Sequence, residues 1–348
     1  MRALLTALTA VTARRRTGPV SQTGRADRAP CLVVTSGCGL WLWTPVVAQM
    51  SAIAQITPRR PTAGWAESTV GLVTSTANPT PSPQRALARM YDQHLRLLAA
   101  HYSNMDQGRS NSAGYVANYF HELIALTKPA LFIEAGAYRA EASRRVKHDH
   151  PSARVVAFEA NPYNHQRYAD KLGFAAAGVD YLNLAVTDAA GPATFHLRSR
   201  EDGEQLRKVT GNSSLLRRQD SDTEYEDLTV EGVTLDGFFG SAVEEPVCRW
   251  IDVEGASGHV LRGATKLLRR TELVLIEVEE KLMWVGQWRS IDVIEFFLDA
   301  GFVPLTRDAE YNQQYNIIFV REDVYERPDV LWSHELHTNY LTQHMGVR

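Results

Sequence analysis

The sequence predicts an α/β protein built on a doubly wound, mostly parallel sheet, and three observations carry that prediction. Residues 131–162, LFIEAGAYRAEASRRVKHDHPSARVVAFEANP, read as strand, tight turn, helix, strand. Short apolar runs then alternate with helix-compatible segments down to about residue 320, the signature of strands joined by helical crossovers. Apolar runs also end on acids: the run at 155–158 stops at Glu159 and the run at 247–251 stops at Asp252. In such sheets the ligand sits outside the carboxyl ends of the strands, so these acids belong to a candidate site.

The elements follow in order. Residues 1–84 are rich in Ala, Thr, Pro, Ser and Arg, contain no Lys and show no sustained period, so they read as a disordered extension or an upstream start ahead of Met50 or Met90. The uncharged stretch 29–58 follows Arg14, Arg15 and Arg16 as a signal or membrane anchor would, but Gly37, Gly39, Pro45 and Gln49 interrupt it. A spanning helix needs about 20 consecutive apolar residues, so membrane association is not expected. The linker STANPTPSPQ, 75–84, marks the boundary. Leu87, Met90, His94, Leu97 and Leu98 recur at helical spacing, which predicts a helix from 85 to about 102; a second spans 115–126, and residues 85–130 form a helical preface. The sheet domain covers 131–325, and 326–348 is read as a C-terminal tail.

Within the sheet domain a helix opens at Pro162 with Asn161 as its cap. A third strand covers 181–185, a turn 188–191 and a further strand 193–197. Residues 199–227 form a charged surface excursion around GNSSLLRR, longer than a connection requires. Strands at 247–251 and in LVLIEVEE, helices at 259–268 and 291–300, and a last strand at 315–320 complete the pattern.

Composition narrows the function. Residues 1–84 hold eight Arg against Asp27 and Glu67; removing them from 37 basic and 40 acidic side chains leaves 29 and 38, a body near −9. Nucleic-acid backbones demand the opposite sign, which leaves a small-molecule or glycan partner and no nucleic acid. Cys31, Cys38 and Cys248 are odd in number and widely spaced, forming neither a disulfide framework nor a zinc signature. A reducing, cytoplasmic location is the simpler expectation.

The first turn selects among nucleotide ligands. A dinucleotide-binding turn wants three glycines around a pyrophosphate, whereas EAGAYRA has Gly136 with an acid two places before it. A negative charge there suits a ligand such as S-adenosylmethionine, with its sulfonium and amino groups. Taken alone, a glycine after a strand is more often merely a turn. Glu159, about twenty residues on, occupies the place of the acid that meets ribose hydroxyls.

Taken together, EAGAYRA, VVAFEANP, NLAVTD, NSSL, VTLDGFF, WIDVEG with LRGA, and LVLIEVEE resemble FkbM-like methyltransferases in order and spacing, over about residues 132–320. The resemblance implies a class I fold with a seven-stranded sheet. It also implies S-adenosylmethionine as cofactor, and O-methylation of hydroxyls on sugars, glycolipids or polyketide-like molecules. Two departures stand out. Glu134 and Ala140 replace the outer Asp and Gly of the family's first motif, and Trp250 replaces the Lys usual before IDVEG. Arg249 does not substitute for it, because successive strand side chains point to opposite faces.

The resemblance and the turn together assign the cofactor residues: Glu134, Gly136 and Ala137 near the methionine end, Glu159 and Ala160 at the ribose, Asn183 and Ala185 beside the adenine. Methyl transfer further needs a base near the acceptor hydroxyl, and Asp252, with Glu254 second, is the candidate; capping the next helix or binding the cofactor's amino group is an equal alternative for Asp252. Glu277 and Glu279 share one face of the fifth strand, where an Mg2+ site with Asp252 is weighed against a structural pair with Arg or Lys, and the pair is favoured. No metal ligand is therefore assigned. His196 and His259 are read as ordinary surface or core residues, and Trp284, Trp288 and Tyr311 lie where an acceptor would enter. The rival function is a catalytically impaired S-adenosylmethionine-binding or regulatory protein on the same fold, for which Trp250 is the main argument.

Overall fold

The computed structural model describes residues 82–102, 108–219, 222–241 and 243–343. The expectations for residues 1–81, including the uncharged stretch, lie outside the described residues.

Two helices, α1 (Pro83–Tyr102) and α2 (Gly108–Thr127), precede β1 (Leu131–Ala135), α3 (Glu141–Asp149) and β2 (Arg154–Phe158). The chain continues through α4 (Pro162–Tyr168), α5 (Phe174–Ala177), β3 (Val179–Leu182), β4 (Ala185–Val186), β5 (Gly191–Glu201), β6 (Glu204–Gln205) and β7 (Glu224–Val233). After α6 (Leu235–Phe239) come β8 (Val247–Ile251), α7 (Ser257–Arg262), α8 (Thr265–Leu268), β9 (Thr271–Glu279), α9 (Ser290–Asp299), β10 (Phe302–Arg307), β11 (Gln314–Arg321), α10 (Glu322–Tyr325) and α11 (Pro328–Gln343). Seven strands form one sheet in the order β10-β11-β9-β8-β1-β2-β3, with β11 antiparallel to both its neighbours and the other described pairings parallel. The doubly wound class I architecture expected from the sequence is thus the observed one.

The alternation of side chains builds two cores. On β1, Leu131, Ile133 and Ala135 face one side with α1, α7, α8 and α9, while Phe132 faces α2, α3 and α11. β8 and β9 repeat the split, with Val247, Ile251, Val274 and Ile276 on the first face and Cys248, Leu273 and Leu275 on the second. Each fully buried aliphatic side chain removes enough apolar surface from water to contribute about 1.5–3 kcal/mol. Both faces are covered, which is why these strands read as continuous apolar runs.

Four features differ from the sequence expectation. The third strand ends at Leu182; Asn183 leaves the sheet and Ala185 begins β4, in a separate four-stranded sheet ordered β4-β7-β5-β6. The charged excursion connects β5 to β7, whose pairing builds that second sheet and packs Phe195, Leu197 and Val230 against Ala185 and Ala160. β10 escaped notice because Pro304 lacks a backbone donor; it sits at a register irregularity on an edge strand, where proline is tolerated. The tail carries a 16-residue helix, α11, packed on α1 and α2. No helix among the described residues is long and apolar enough to cross a membrane.

Candidate active site

The strand order reverses between β1 and β8, and the two strands end side by side there, with Ala135 opposite Ile251. The loop after each strand must then share one small space. Gly136 turns with φ +79°, and a Cβ on it would stand 1.6 Å from the Asp252 carbonyl oxygen. Glycine is required here on two counts, backbone conformation and close approach. The Asp252 amide in turn donates to the Ala135 carbonyl at 2.9 Å, which fixes the mouth of β8 against the turn.

A cleft opens at this reversal, where ligands of open α/β sheets bind. Gly136, Glu159, Ala160, Ala185, Asp252 and Glu254 line it, so six of the nine residues singled out from the sequence come together. Glu159 is the hub of its inner end. Its carboxylate accepts from the Tyr138 amide at 2.5 Å, from the Asn161 amide at 2.7 Å and from the Asn164 side chain at 3.2 Å. Burial pushes this carboxyl up to about 7, against the pull of those three donors. Asn161 also caps α4, accepting from the Tyr163 amide at 3.0 Å as the sequence predicts.

The roof of the cleft was not anticipated. Thr210, Gly211, Ser213, Ser214 and Leu215 cross it as a strap. Asn164 pins one end, donating to the Thr210 carbonyl at 2.8 Å and accepting from the Thr210 amide at 3.0 Å. The middle is tied to β5 by the His196 amide donating to the Ser214 carbonyl and the Arg198 amide donating to the Ser213 hydroxyl. At the far end Ser214 Oγ donates to the Val253 carbonyl at 3.4 Å. The motif NSSL was the available signal, since three small polar residues in a charged excursion suit backbone-directed hydrogen bonds.

The other three residues stand behind the lining. Glu134 accepts from the Ser143 amide at 2.7 Å, satisfying a free donor in the first turn of α3. Burial pushes this carboxyl up to about 7. Asn183 donates to the carbonyls of Glu159 at 2.8 Å and Ala160 at 3.3 Å, which braces the end of β2. Ala137 is buried in the α3-side core. These residues shape the cleft without facing it. Trp284 and Trp288 also pack elsewhere, on Gly255 and Gly258 respectively, and Tyr311 is exposed. His196 lies 2.7 Å from Asp227 and His259 lies 3.0 Å from Asp188, both away from the lining.

The outer end is a cluster of acids. Asp252 and Glu277 stand side by side, with a carboxylate oxygen of each within 4.8 Å of the other. Burial raises Asp252, Glu277 and Glu254, the last up to about 8 with the neighbouring charges of Asp252 and Glu279 adding to the effect. Arg198 and Arg218 oppose that rise only as through-space charges. The Arg or Lys pair expected for Glu277 and Glu279 is not what surrounds them: one oxygen of Glu277 and both of Glu279 have no hydrogen-bond partner.

The family model for the methyltransferase FkbM domain matches residues 134–304, which holds every strand from β2 to β9 and both ends of the cleft. Residues 134–304 carry an FkbM methyltransferase domain. A 2-O-methyltransferase, NoeI, of Sinorhizobium fredii is 25% identical over 173 residues, 47% of this chain and 69% of the relative. Among solved structures, precorrin-6y C5,15-methyltransferase of Geobacter metallireducens is 15% identical with a TM-score of 0.32, covering 59% of this chain and 87% of that one. Magnesium protoporphyrin IX methyltransferase of Synechocystis, with bound SAM, is 11% identical with a TM-score of 0.34, covering 70% and 100%. The residue before IDVEG faces the α2 side. Trp250 packs edge-on against Phe120, ring centres 5.7 Å apart, on the α2 side. Arg249 is fully buried on the opposite face with all three guanidinium nitrogens unpartnered, and burial draws it down to about 10.

Proposed function

We propose that this methyltransferase takes its methyl group from S-adenosylmethionine and delivers it to a hydroxyl on a sugar, glycolipid or polyketide-like small molecule. The observation that carries the proposal is the single cleft with Glu159 at one end and Asp252 and Glu254 at the other. Glu159, at the end of β2, is the acceptor for the ribose hydroxyls; three of its roughly four acceptor positions are already used, and Asn164, the longest bond, is the donor a second hydroxyl would displace. Ala185 and Leu184 flank the adenine, and the turn at Gly136 lets backbone approach the methionine part.

The acceptor oxygen then approaches the methyl carbon in line with the sulfonium. As the O–C bond forms, the C–S bond breaks with its electron pair returning to sulfur, which leaves a neutral thioether. The hydroxyl proton passes to a carboxylate, Asp252 first and Glu254 second. Burial raises both above the usual carboxylate range, which makes each a better proton acceptor than a free carboxylate. Holding the reactants in line and excluding water under the strap supplies most of the remaining acceleration. The likeness to NoeI, named as a 2-O-methyltransferase, supports the choice of oxygen as acceptor.

Methyl-labelled S-adenosylmethionine incubated with the full chain and a panel of sugar, glycolipid and polyketide hydroxyls tests the proposal. Label should pass to at least one hydroxyl, and Asp252→Asn should retain cofactor binding while losing about 100-fold or more in turnover. Full turnover by Asp252→Asn would remove Asp252 as the base. Cofactor binding with no transfer to any acceptor would favour the binding-protein alternative.

A further inference from the structure

Four carboxylates converge where β8 and β9 end. Asp252 follows Cys248 and Trp250 on one face of β8, and Glu277 and Glu279 follow Leu273 and Leu275 on the same face of β9. The register pairs Trp250 with Leu275 and Ile251 with Ile276, so the next step sets Asp252 beside Glu277. Glu254 reaches the same place through a left-handed backbone, φ +51°, a conformation that costs a non-glycine residue energy. One oxygen from each of Asp252, Glu254 and Glu277 lies within 4.8 Å of the other two.

A second observation bears on this cluster from outside the three. Glu279 is 0% exposed, and neither of its oxygens has a hydrogen-bond partner. The Gly255 amide, next to Glu254, lies beside it without reaching hydrogen-bond geometry. An ionised carboxylate buried in this way is costly unless a cation or donor meets it. Arg218 bears on Glu279 only as a charge through space and reaches neither carboxylate oxygen with a hydrogen bond, so it does not satisfy the group.

We propose that Asp252, Glu254 and Glu277 hold a hard divalent cation, with the charge of Glu279 behind them. A donor set made wholly of carboxylate oxygens selects Ca2+, Mg2+ or Mn2+ over softer metals. Oxygens within 4.8 Å of one another are close enough to share one ion of this class. Asp252 and Glu254 also line the cleft, so the positions of the ion that the protein does not fill open towards it, where water or a ligand oxygen completes the coordination. The site stands on its donor chemistry and does not rest on the methyl-transfer reading.

The test uses the full chain freed of metal with a chelator. It is titrated by calorimetry with CaCl2, MgCl2 and MnCl2, and bound Mn2+ is counted from loss of the free-ion paramagnetic resonance signal. The expected result is one ion per chain, and affinity about tenfold or more weaker in Glu277→Gln. Because Gln removes a charge from a crowded set, the metal-free variant should melt no lower than wild type. Should that variant fail to fold, Glu254→Gln takes its place with the same expected loss. Binding of less than one ion per chain at millimolar metal, or equal affinity in wild type and a folded variant, would overturn the proposal. S-adenosylmethionine binding is measured in the same samples without metal, so loss of the methyltransferase reading and loss of the cation site are separate outcomes.

Discussion

At the inner end of the cleft Glu159 accepts from two backbone amides and one side-chain amide, while at the outer end Glu279 is buried with both oxygens unpartnered and Glu277 with one. Both ends are acidic and buried, yet the first is satisfied by the protein and the second is not. A carboxylate held by donors from the turn after β1 and the start of α4 is preorganised, so its ligand meets a fixed acceptor. Unpartnered carboxylates repel one another until a proton or cation joins them, and Asp252 and Glu277 lie close enough for that. The difference teaches that the inner end is complete in the folded chain, whereas the outer end has carboxylates that the protein leaves unsatisfied.

The sharpest way to break this comparison is at the point where the two ends touch. Gly136→Ala would drive a methyl group into the Asp252 carbonyl and strain a φ of +79°. We expect a loss of about 4 kcal/mol or more in denaturant unfolding, in the exceptional range for one substitution. A loss below about 1 kcal/mol would show that the two loops are less tightly fitted than described. Removing the pin between the inner end and the strap should have a smaller effect. Asn164→Ala deletes two bonds to Thr210 and one to Glu159, and should weaken S-adenosylmethionine about tenfold, near 1.4 kcal/mol, with a modest fall in melting temperature. Unchanged cofactor affinity would detach the strap from the cofactor site.

The smallest effect concerns pH. Burial raises Glu134 to about 7 in the folded protein, above its unfolded value near 4.5. The folded state therefore binds the extra proton between these values. The stability this carboxyl contributes is fully present below about pH 4.5 and is lost as pH rises through about 7. Glu134→Gln keeps an oxygen for the Ser143 amide and removes the titration, so the decline of melting temperature from pH 5 to pH 8 should be shallower, by about 1–3 °C. An identical slope would show that Glu134 stays ionised throughout, held by Ser143.

Much of this arrangement is legible in the sequence because strand period and strand ends are local properties. Asp252, Glu277 and Glu279 fall on one face because alternation places them there, and Gly136 and Glu159 fall at strand ends where apolar runs stop. What was not legible depends on distant partners. Glu134 looks like a site residue until the N-terminus of α3 is seen to use its carboxylate. Asn183 looks like part of a strand until its side chain is seen to brace the backbone at Glu159. Asn164 and the strap at 210–215 lie 46 or more residues apart and meet through hydrogen bonds that no periodicity announces. The missing Lys partner of the acids is likewise a tertiary fact, decided by which face Arg249 and Trp250 occupy.

The measurement that tests the central claim most directly is calorimetric titration of the full chain with S-adenosylmethionine, beside Glu159→Ala. The account predicts binding near micromolar, about −8 kcal/mol, and its loss in the variant while the variant still melts cooperatively. Undiminished binding by Glu159→Ala, or no binding by a folded wild-type chain, would contradict the claim that the inner end of this cleft is a preformed cofactor site.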